Sequence, residues 1–268
     1  MTLTRPELET DYTLSRSAVA HFRTHGFVKL KNVLSGDTIA EYEPEITEKV
    51  LELAADVPLE ERDTYGQAFL QVTNLWQDSE RVLEFVSSPR LARIAAQLLG
   101  VQSVRLYHDQ ALYKEAGGGI TPWHADQYYW PFASDRCVTV WIPLQETPMA
   151  MGPLSFAAGS HTFEHGRDLP ISDESEQALQ EALAAQDFPE VSEPYELGEV
   201  SYHLGWTFHH APPNTTDVPR RVMTIIYIDA DMRIAAPVNE NQELELAHWM
   251  PGAQAGDPIT SPLNPVLY

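Results

Sequence analysis

The sequence predicts a mainly β protein, a β-sandwich or jelly-roll core with helices packed outside it. Two observations carry this. Helical spacing dominates about the first hundred residues, and from about residue 101 the chain turns into short segments rich in β-branched and aromatic residues, bounded by Gly, Pro or Asn. Helices first and many short strands afterwards is the order such a layered fold requires. No internal repeat and no Gly/Ser or Pro linker divides the chain, so one domain over residues 1–268 is expected, with a helical part over about 1–100 and the jelly-roll core over about 101–235.

The elements follow in order. The stretch SRSAVAHFRTHG reads as a helix, and GFVKLKNVL alternates like a strand. Ser35 reads as the N-cap of a long helix, GDTIAEYEPEITEKVLELAA, because a serine hydroxyl there accepts from a free amide of the first turn. PRLARIAAQLLG is a further helix closed by Gly100. The strands expected are VRLYHDQALYK, WHADQYYW, RCVTVWIPLQ, EVSYHLGWTFHH and RRVMTIIYIDA. Among them sits an acidic helical insert at about 171–188, either a solvated surface helix or a lid over a pocket mouth.

Composition narrows the function classes. The hydrophobic share is 43%, and the longest apolar runs, VTVWIPL and VMTIIYI, fall far short of the ~20 residues a membrane span needs. The acidic N-terminal stretch MTLTRPELETDY lacks a basic region followed by an apolar one, so no signal peptide is expected and a cytoplasmic location is. Cys137 is the only cysteine, which excludes an intrachain disulfide and a thiolate-rich metal site. Seventeen Lys and Arg against 39 Asp and Glu give a net charge of −22, a field that repels nucleic-acid phosphates and anionic lipid surfaces. A small-molecule substrate is the partner class left standing.

The chemistry-bearing residues lie in two stretches. In TPWHADQYYW, His124 and Asp126 are two apart, so on a strand both leave the same face and can share one ion. Alone, such a pair is more often a hydrogen-bonded structural histidine beside an acid. Further along, HLGWTFHHAPPNTTDVPRR holds three histidines, a Pro-Pro-Asn turn and two arginines opening the next strand. Two histidines and a carboxylate that leave three adjacent positions open form the ligand set of non-haem Fe(II) oxygenases. The open positions accept a bidentate 2-oxo acid and O₂, and the far carboxylate of that acid calls for an arginine fork.

These stretches, together with HFRTHGFVKL near the start, MGPLSFAAGSH at 151–161 and the closing LNPVLY, resemble the phytanoyl-CoA dioxygenase family of Fe(II)/2-oxoglutarate-dependent oxygenases over nearly the whole chain. The resemblance implies a double-stranded β-helix (jelly-roll) core. The family pattern puts the distal metal histidine five residues before the Asn of the turn, at His209, and the cosubstrate arginine 11 further on, at Arg220. It likewise implies that Gln110 contacts 2-oxoglutarate and that Trp141 walls its pocket, although plain core packing is the other reading of a strand tryptophan.

Strand parity agrees with the choice of His209. If 199–209 is one extended strand, His209 and His203 share a face while His210 points away, and His203 lies six residues, about 20 Å, from His209, too far to share its ion. On the same parity Arg220 and Arg221 face opposite sides. His210 and His161 are expected to be structural, His108 to pack in or just behind the site, and Lys114 to lie at the surface or the substrate mouth. The aromatic run after the ligands offers Gln127, Tyr129 and Trp130, with Tyr128 and Phe132, as a substrate rim or as outer strand packing.

The function expected is therefore oxidation of a C–H bond of a small molecule, with Fe(II) held by His124, Asp126 and His209, and with 2-oxoglutarate and O₂ as cosubstrates. Decarboxylation of 2-oxoglutarate to succinate and CO₂ drives the step. Family members similar to this chain include natural-product tailoring enzymes that use it for hydroxylation, ring closure or epimerisation, as in nogalamycin-type antibiotic biosynthesis. A neutral or amine-bearing ring compound is the expected substrate. The alternatives are an acyl-CoA hydroxylase of the same family and a non-catalytic jelly-roll binding module. A halogenase is disfavoured by Asp126, which occupies the place chloride would need.

Overall fold

The structure is a computed structural model that describes residues 6–54 and 69–268. The end of the predicted helix at residue 55 and the first five residues of the N-terminal stretch lie outside the described residues.

Two antiparallel sheets face each other. The larger has six strands: β1 (Phe27–Leu30), β2 (Leu70–Thr73), β3 (Val104–Lys114), β5 (Cys137–Pro143), β8 (Val200–Leu204) and β10 (Arg220–Asp229), in the order β1-β8-β5-β10-β3-β2. The smaller is formed by β4 (Thr121–His124), β6 (Ser155–Ala157), β7 (Glu190–Ser192) and β9 (His209–Ala211), in the order β4-β9-β6-β7. The strand-dominated architecture agrees with the expected jelly roll, and β1 and β2 extend it into the part of the chain read as helical.

Period-2 patterning decides what each strand shows to each side. In β5 and β10, Val138, Val140, Ile142, Met223 and Ile225 point outward into a core with Ile39, Tyr42, Ile46, Val82, Phe85 and Leu91. Those partners come from helices α2 (Gly36–Leu53), α3 (Glu80–Val86) and α4 (Pro89–Leu99), which cover the large sheet behind α1 (Arg16–His25). Ser35 caps α2 by accepting from Thr38 N, and α4 ends at Gly100 in the left-handed region. The alternate residues, Thr139, Trp141, Arg220, Thr224 and Ile226, face the space between the sheets. Part of that space is closed by Phe27 stacked on Phe156 at 4.3 Å, with Trp141, Leu154 and Val222. Each large side chain buried there contributes about 1.5–3 kcal/mol.

Two segments depart from the strand reading. WHADQYYW is strand only to His124, and Asp126–Tyr129 is a 3₁₀ turn. EVSYHLGWTFHH is two strands, β8 and β9, separated by a turn at Gly205 and Trp206. A Cβ on Gly205 would lie 2.6 Å from Cys137 Sγ and 2.9 Å from Gln127 Cβ, so only glycine lets the turn pass this close. The turn folds His203 back toward His209, and the 20 Å separation expected from an unbroken strand is overturned: their ring centroids are 4.5 Å apart.

The insert forms helix α5 (Asp173–Ala185), capped by Ser172. It is docked rather than free-standing. Leu179 and Leu183 are buried against Trp123 and Phe208, and Glu176 accepts from Trp123 N at 2.5 Å. A last helix, α6 (Glu240–Trp249), follows the barrel. Among the described residues no helix is long and apolar enough to cross a membrane.

Because Cys137 and Gln127 cannot retreat without opening the core, Gly205→Ala is expected to cost about 1–3 kcal/mol, the usual penalty for overpacking. Chemical denaturation should show the loss as a lower midpoint at unchanged slope.

Candidate metal and cosubstrate site

His124 ends β4 and His209 opens β9, and the two are opposite each other in the pairing of those strands. Asp126 follows two residues later at the start of the 3₁₀ turn. One donor atom from each of the three lies within 4.8 Å of the others. His124 Nδ1 donates to Pro122 O at 2.7 Å and His209 Nδ1 to Thr207 O at 2.9 Å. A carbonyl can only accept, so both rings carry a proton on Nδ1 and turn Nε2 to the site. The two Nε2 atoms face Asp126 Oδ1 at 3.6 and 3.5 Å. A backbone carbonyl fixing the tautomer behind a ligating imidazole is the usual support of a histidine metal site.

The other oxygen of Asp126 is already engaged. Oδ2 accepts from Thr139 Oγ1 at 2.8 Å and from His203 Nε2 at 3.1 Å. Burial works to raise the Asp126 pKa, but His209, His124 and His203 around it outweigh burial and hold the carboxyl well below the usual range. Burial and then the neighbouring His124 push His209 well below the ordinary imidazole value, so it is neutral, the form that binds metal. Two imidazoles anchored through Nδ1 and one carboxylate, with one oxygen turned to them, fit a divalent iron.

The triad opens into a cavity of about 410 Å³. Gln110, Thr224 and Trp141 lie side by side across β3, β10 and β5 and line it. Arg220 also lines it, buried, with its guanidinium 5.4 Å from the Trp141 ring. Burial lowers its pKa to about 10, and among the described residues it pairs with no carboxylate; Nη1 donates to Gly152 O, while Nε is buried without a partner among those residues. Gly152 has to be glycine, since its φ is +67° and a Cβ would strike Pro212 O. Thr121 adds a buried hydroxyl, also without a partner among the described residues, to the cavity wall. An unsatisfied guanidinium nitrogen and an unsatisfied hydroxyl are what a bound carboxylate would complete.

Tyr129 and Trp130 line the cavity, and Gln127 does not. The 3₁₀ turn after Ala125 rotates it away, and its amide donates to Ser134 O at 2.9 Å and accepts from Cys137 Sγ at 3.2 Å. Lys114 is not at a surface or mouth either. It is fully buried, donating to Gly119 O and Pro212 O at 2.8 Å, and burial together with Arg220 lowers its pKa to about 6. Arg221 points outward and pairs with Glu43 at 2.5 Å. His210 stacks on Trp123 and bonds Glu190, and His108 packs against Tyr107, Trp130 and Trp249. His161, buried in part, approaches Gly26 rather than the triad.

Three wall residues escaped the sequence reading. His203 was hidden by the Gly205 turn, although a glycine inside a strand pattern is itself a sign of a break. Thr139 carries no signal beyond its parity with Trp141. Thr121 is three residues from His124, and only the irregular register between them lets both face inward.

Comparison with known proteins gives a consistent picture. A model of the phytanoyl-CoA dioxygenase family matches residues 22–222. A probable alpha-ketoglutarate-dependent hypophosphite dioxygenase of Stutzerimonas stutzeri is 24% identical over 225 residues, 77% of this chain and 76% of its own. Among solved structures, the non-heme alpha-ketoglutarate-dependent carbocyclase SnoK from nogalamycin biosynthesis superposes with a TM-score of 0.77 at 24% identity, over 94% of this chain and 96% of its own. The epimerase SnoN in complex with Fe3+, alpha-ketoglutarate and nogalamycin RO gives 0.77 at 24%, over 94% and 98%. EctD from S. alaskensis with 2-oxoglutarate and 5-hydroxyectoine gives 0.68 at 21%, over 87% and 83%.

His209→Ala is expected to lose stoichiometric Fe(II) or Mn(II) binding, measured by metal analysis after desalting, while His210→Ala retains it. Retention in the first and loss in the second would reverse the ligand assignment.

Proposed function

The chain belongs to the phytanoyl-CoA dioxygenase family, and from that premise we propose that this 2-oxoglutarate-dependent non-haem iron dioxygenase oxidises a C–H bond of a ring-bearing natural product. His124, Asp126 and His209 hold the iron, and Arg220, Gln110 and Trp141, with Thr121, hold 2-oxoglutarate. The observation that carries the reading is the meeting, in one cavity, of an N,N,O donor set and a buried arginine that pairs with no acid among the described residues.

When bound, iron and 2-oxoglutarate supply the activation of O₂, with succinate and CO₂ as the products of the cosubstrate. The chain supplies geometry and electrostatics. Thr139 and His203 engage Oδ2 of Asp126, so that Oδ1 is the oxygen that would ligate the ion. Pro122 and Thr207 carbonyls hold both imidazoles in the ligating tautomer. Arg220 offers a bidentate fork to the far carboxylate of the cosubstrate, with Thr121 as a further donor, and Gln110 offers an amide nearer the triad. Trp141, Leu154 and Ala211 exclude water from this end.

The substrate end is lined by Phe69, Tyr129, Trp130 and Ile171. A cavity of about 410 Å³ with aromatic walls suits a ring-bearing molecule, neutral or amine-bearing. Such a volume and such walls argue against an oxyanion as small as hypophosphite. An acyl-CoA is disfavoured by charge: Arg220 is the only Lys or Arg lining the cavity among the described residues, Lys114 is tied to carbonyls, and Arg136 pairs with Asp229 at 3.0 Å. The nogalamycin tailoring enzymes among the structural neighbours favour ring closure or epimerisation beside hydroxylation as the outcome.

Arg220→Lys keeps the charge but loses the fork, and should raise the KM for 2-oxoglutarate by one to two orders of magnitude, about 1–3 kcal/mol. Arg221→Lys should leave it unchanged, and equal effects at both positions would refute the assignment. Phytanoyl-CoA and similar thioesters should produce no succinate above the uncoupled rate, whereas a screen of ring-bearing natural products should find a compound that does.

A further inference from the structure

We propose that Glu245 is the substrate-selecting residue of this cavity, and that its carboxylate receives a protonated amine carried by the ring-bearing substrate. The proposal rests on the oxygenase reading above and narrows its substrate class from neutral or amine-bearing to amine-bearing.

The placement of Glu245 is set by α6. Asn239 caps that helix by accepting from Gln242 N at 2.9 Å. Two side-chain amides then tie it to the 3₁₀ turn that begins at Asp126: Gln242 Nε2 and Asn239 Nδ2 donate to Tyr128 O at 2.9 and 3.2 Å. Asn241 and Glu245, four apart on one helix face, are thereby brought into the wall of the cavity. From the opposite side, an irregularity in the pairing of β3 with β10 inserts Tyr107 between Leu106 and His108. A bulge of this kind re-aims its side chains, and Tyr107 Oη donates to Glu245 Oε2 at 2.8 Å.

The carboxylate is left incomplete by the protein. No Lys or Arg among the described residues pairs with it, and the one imidazole nearby, His108, stands at 3.7 Å from Oε2. Oε1 has no hydrogen-bond partner among the described residues. A carboxylate carries about four acceptor positions, so this one has room for a charged donor. Burial and Glu245 itself push the Tyr107 pKa far up, which keeps its hydroxyl a donor.

Charge is distributed along the cavity in a way that separates two ligands. Arg220 is paired with Lys114 at one end of the β10–β3 ladder, and Ile226 is paired with His108 six residues away, about 20 Å along an extended strand. Glu245 lies beside His108, at the far end from Arg220. The guanidinium thus serves the dicarboxylate, and Glu245 and Asp126 are the only acids lining the cavity among the described residues. Asp126 is committed to the metal, so Glu245 is the acid available to the second substrate. Trp130 and Tyr129 wall the same region, and their ring faces add attraction for an ammonium group.

The test uses the full chain loaded with redox-silent Mn(II) and 2-oxoglutarate, with 2-(1-naphthyl)ethylammonium and its N-acetyl amide as a matched pair of probes in equilibrium dialysis. Wild-type protein should bind the ammonium at least about tenfold more tightly than the amide, the scale of one charge-assisted hydrogen bond. Glu245→Gln retains an oxygen for Tyr107 and should bring the two probes to within about twofold, because only the charge is removed. Wild-type protein that fails to discriminate, or a Gln variant that keeps the preference, overturns the proposal. Retention of 2-oxoglutarate is read in the same dialysis: its loss overturns the oxygenase reading, whereas its presence without ammonium preference overturns the role of Glu245 alone.

Discussion

Asp126 divides its two oxygens between the sheets, and the site depends on that division. The residue follows β4 of the small sheet, yet Oδ2 is bound by Thr139 and His203 on β5 and β8 of the large one. Hydrogen bonds to a charged group are worth about 1.5–3 kcal/mol each, and an unpaired carboxylate in this position would be costly. The same two bonds therefore link the sheets across the cavity, satisfy half of the carboxylate and aim the remaining oxygen at His124 and His209. The Gly205 turn is what makes this possible, because it returns the chain sharply enough to set His203 and His209 side by side.

From this centre the cavity is polarised. At one end buried Arg220 and Lys114 sit opposite each other across a strand pair. Burial and then Arg220 lower the Lys114 pKa to about 6, whereas burial lowers that of Arg220 only to about 10, so the guanidinium carries the positive charge of this end. A dianion entering there meets that charge and gains more than a neutral ligand would. At the other end the walls are aromatic and the available charge is negative. The net charge of −22 over the chain acts in the same sense on whatever approaches the mouth, although salt screens it beyond roughly 8 Å.

Much of the frame was legible because strand patterning is strict where both faces are buried. β3 and β10 match the stretches read from their β-branched and aromatic content, and the parity that sent Arg220 inward also sent Arg221 outward to Glu43. Spacing paired His124 with Asp126, the family resemblance added His209, and the fold brings the same three within reach of one ion. What failed did so for tertiary reasons. An unbroken strand was assumed where Gly205 bends the chain, which hid His203. A strand was assumed after His124 where a 3₁₀ turn begins, which sent Gln127 the wrong way. Lys114, expected at the surface or the mouth, is buried because three backbone carbonyls surround its amine. Glu245 left no trace in local sequence, since its position comes from amides on α6 bonding Tyr128 O.

Anaerobic titration of Fe(II) into the chain with saturating 2-oxoglutarate tests whether one donor set and one cavity hold iron and 2-oxoglutarate together. A weak visible charge-transfer band is expected that appears only with both components, saturates at one iron per chain and is absent from Asp126→Ala. A chain that gives no such band, or one whose band is undiminished in Asp126→Ala, would contradict that joint binding.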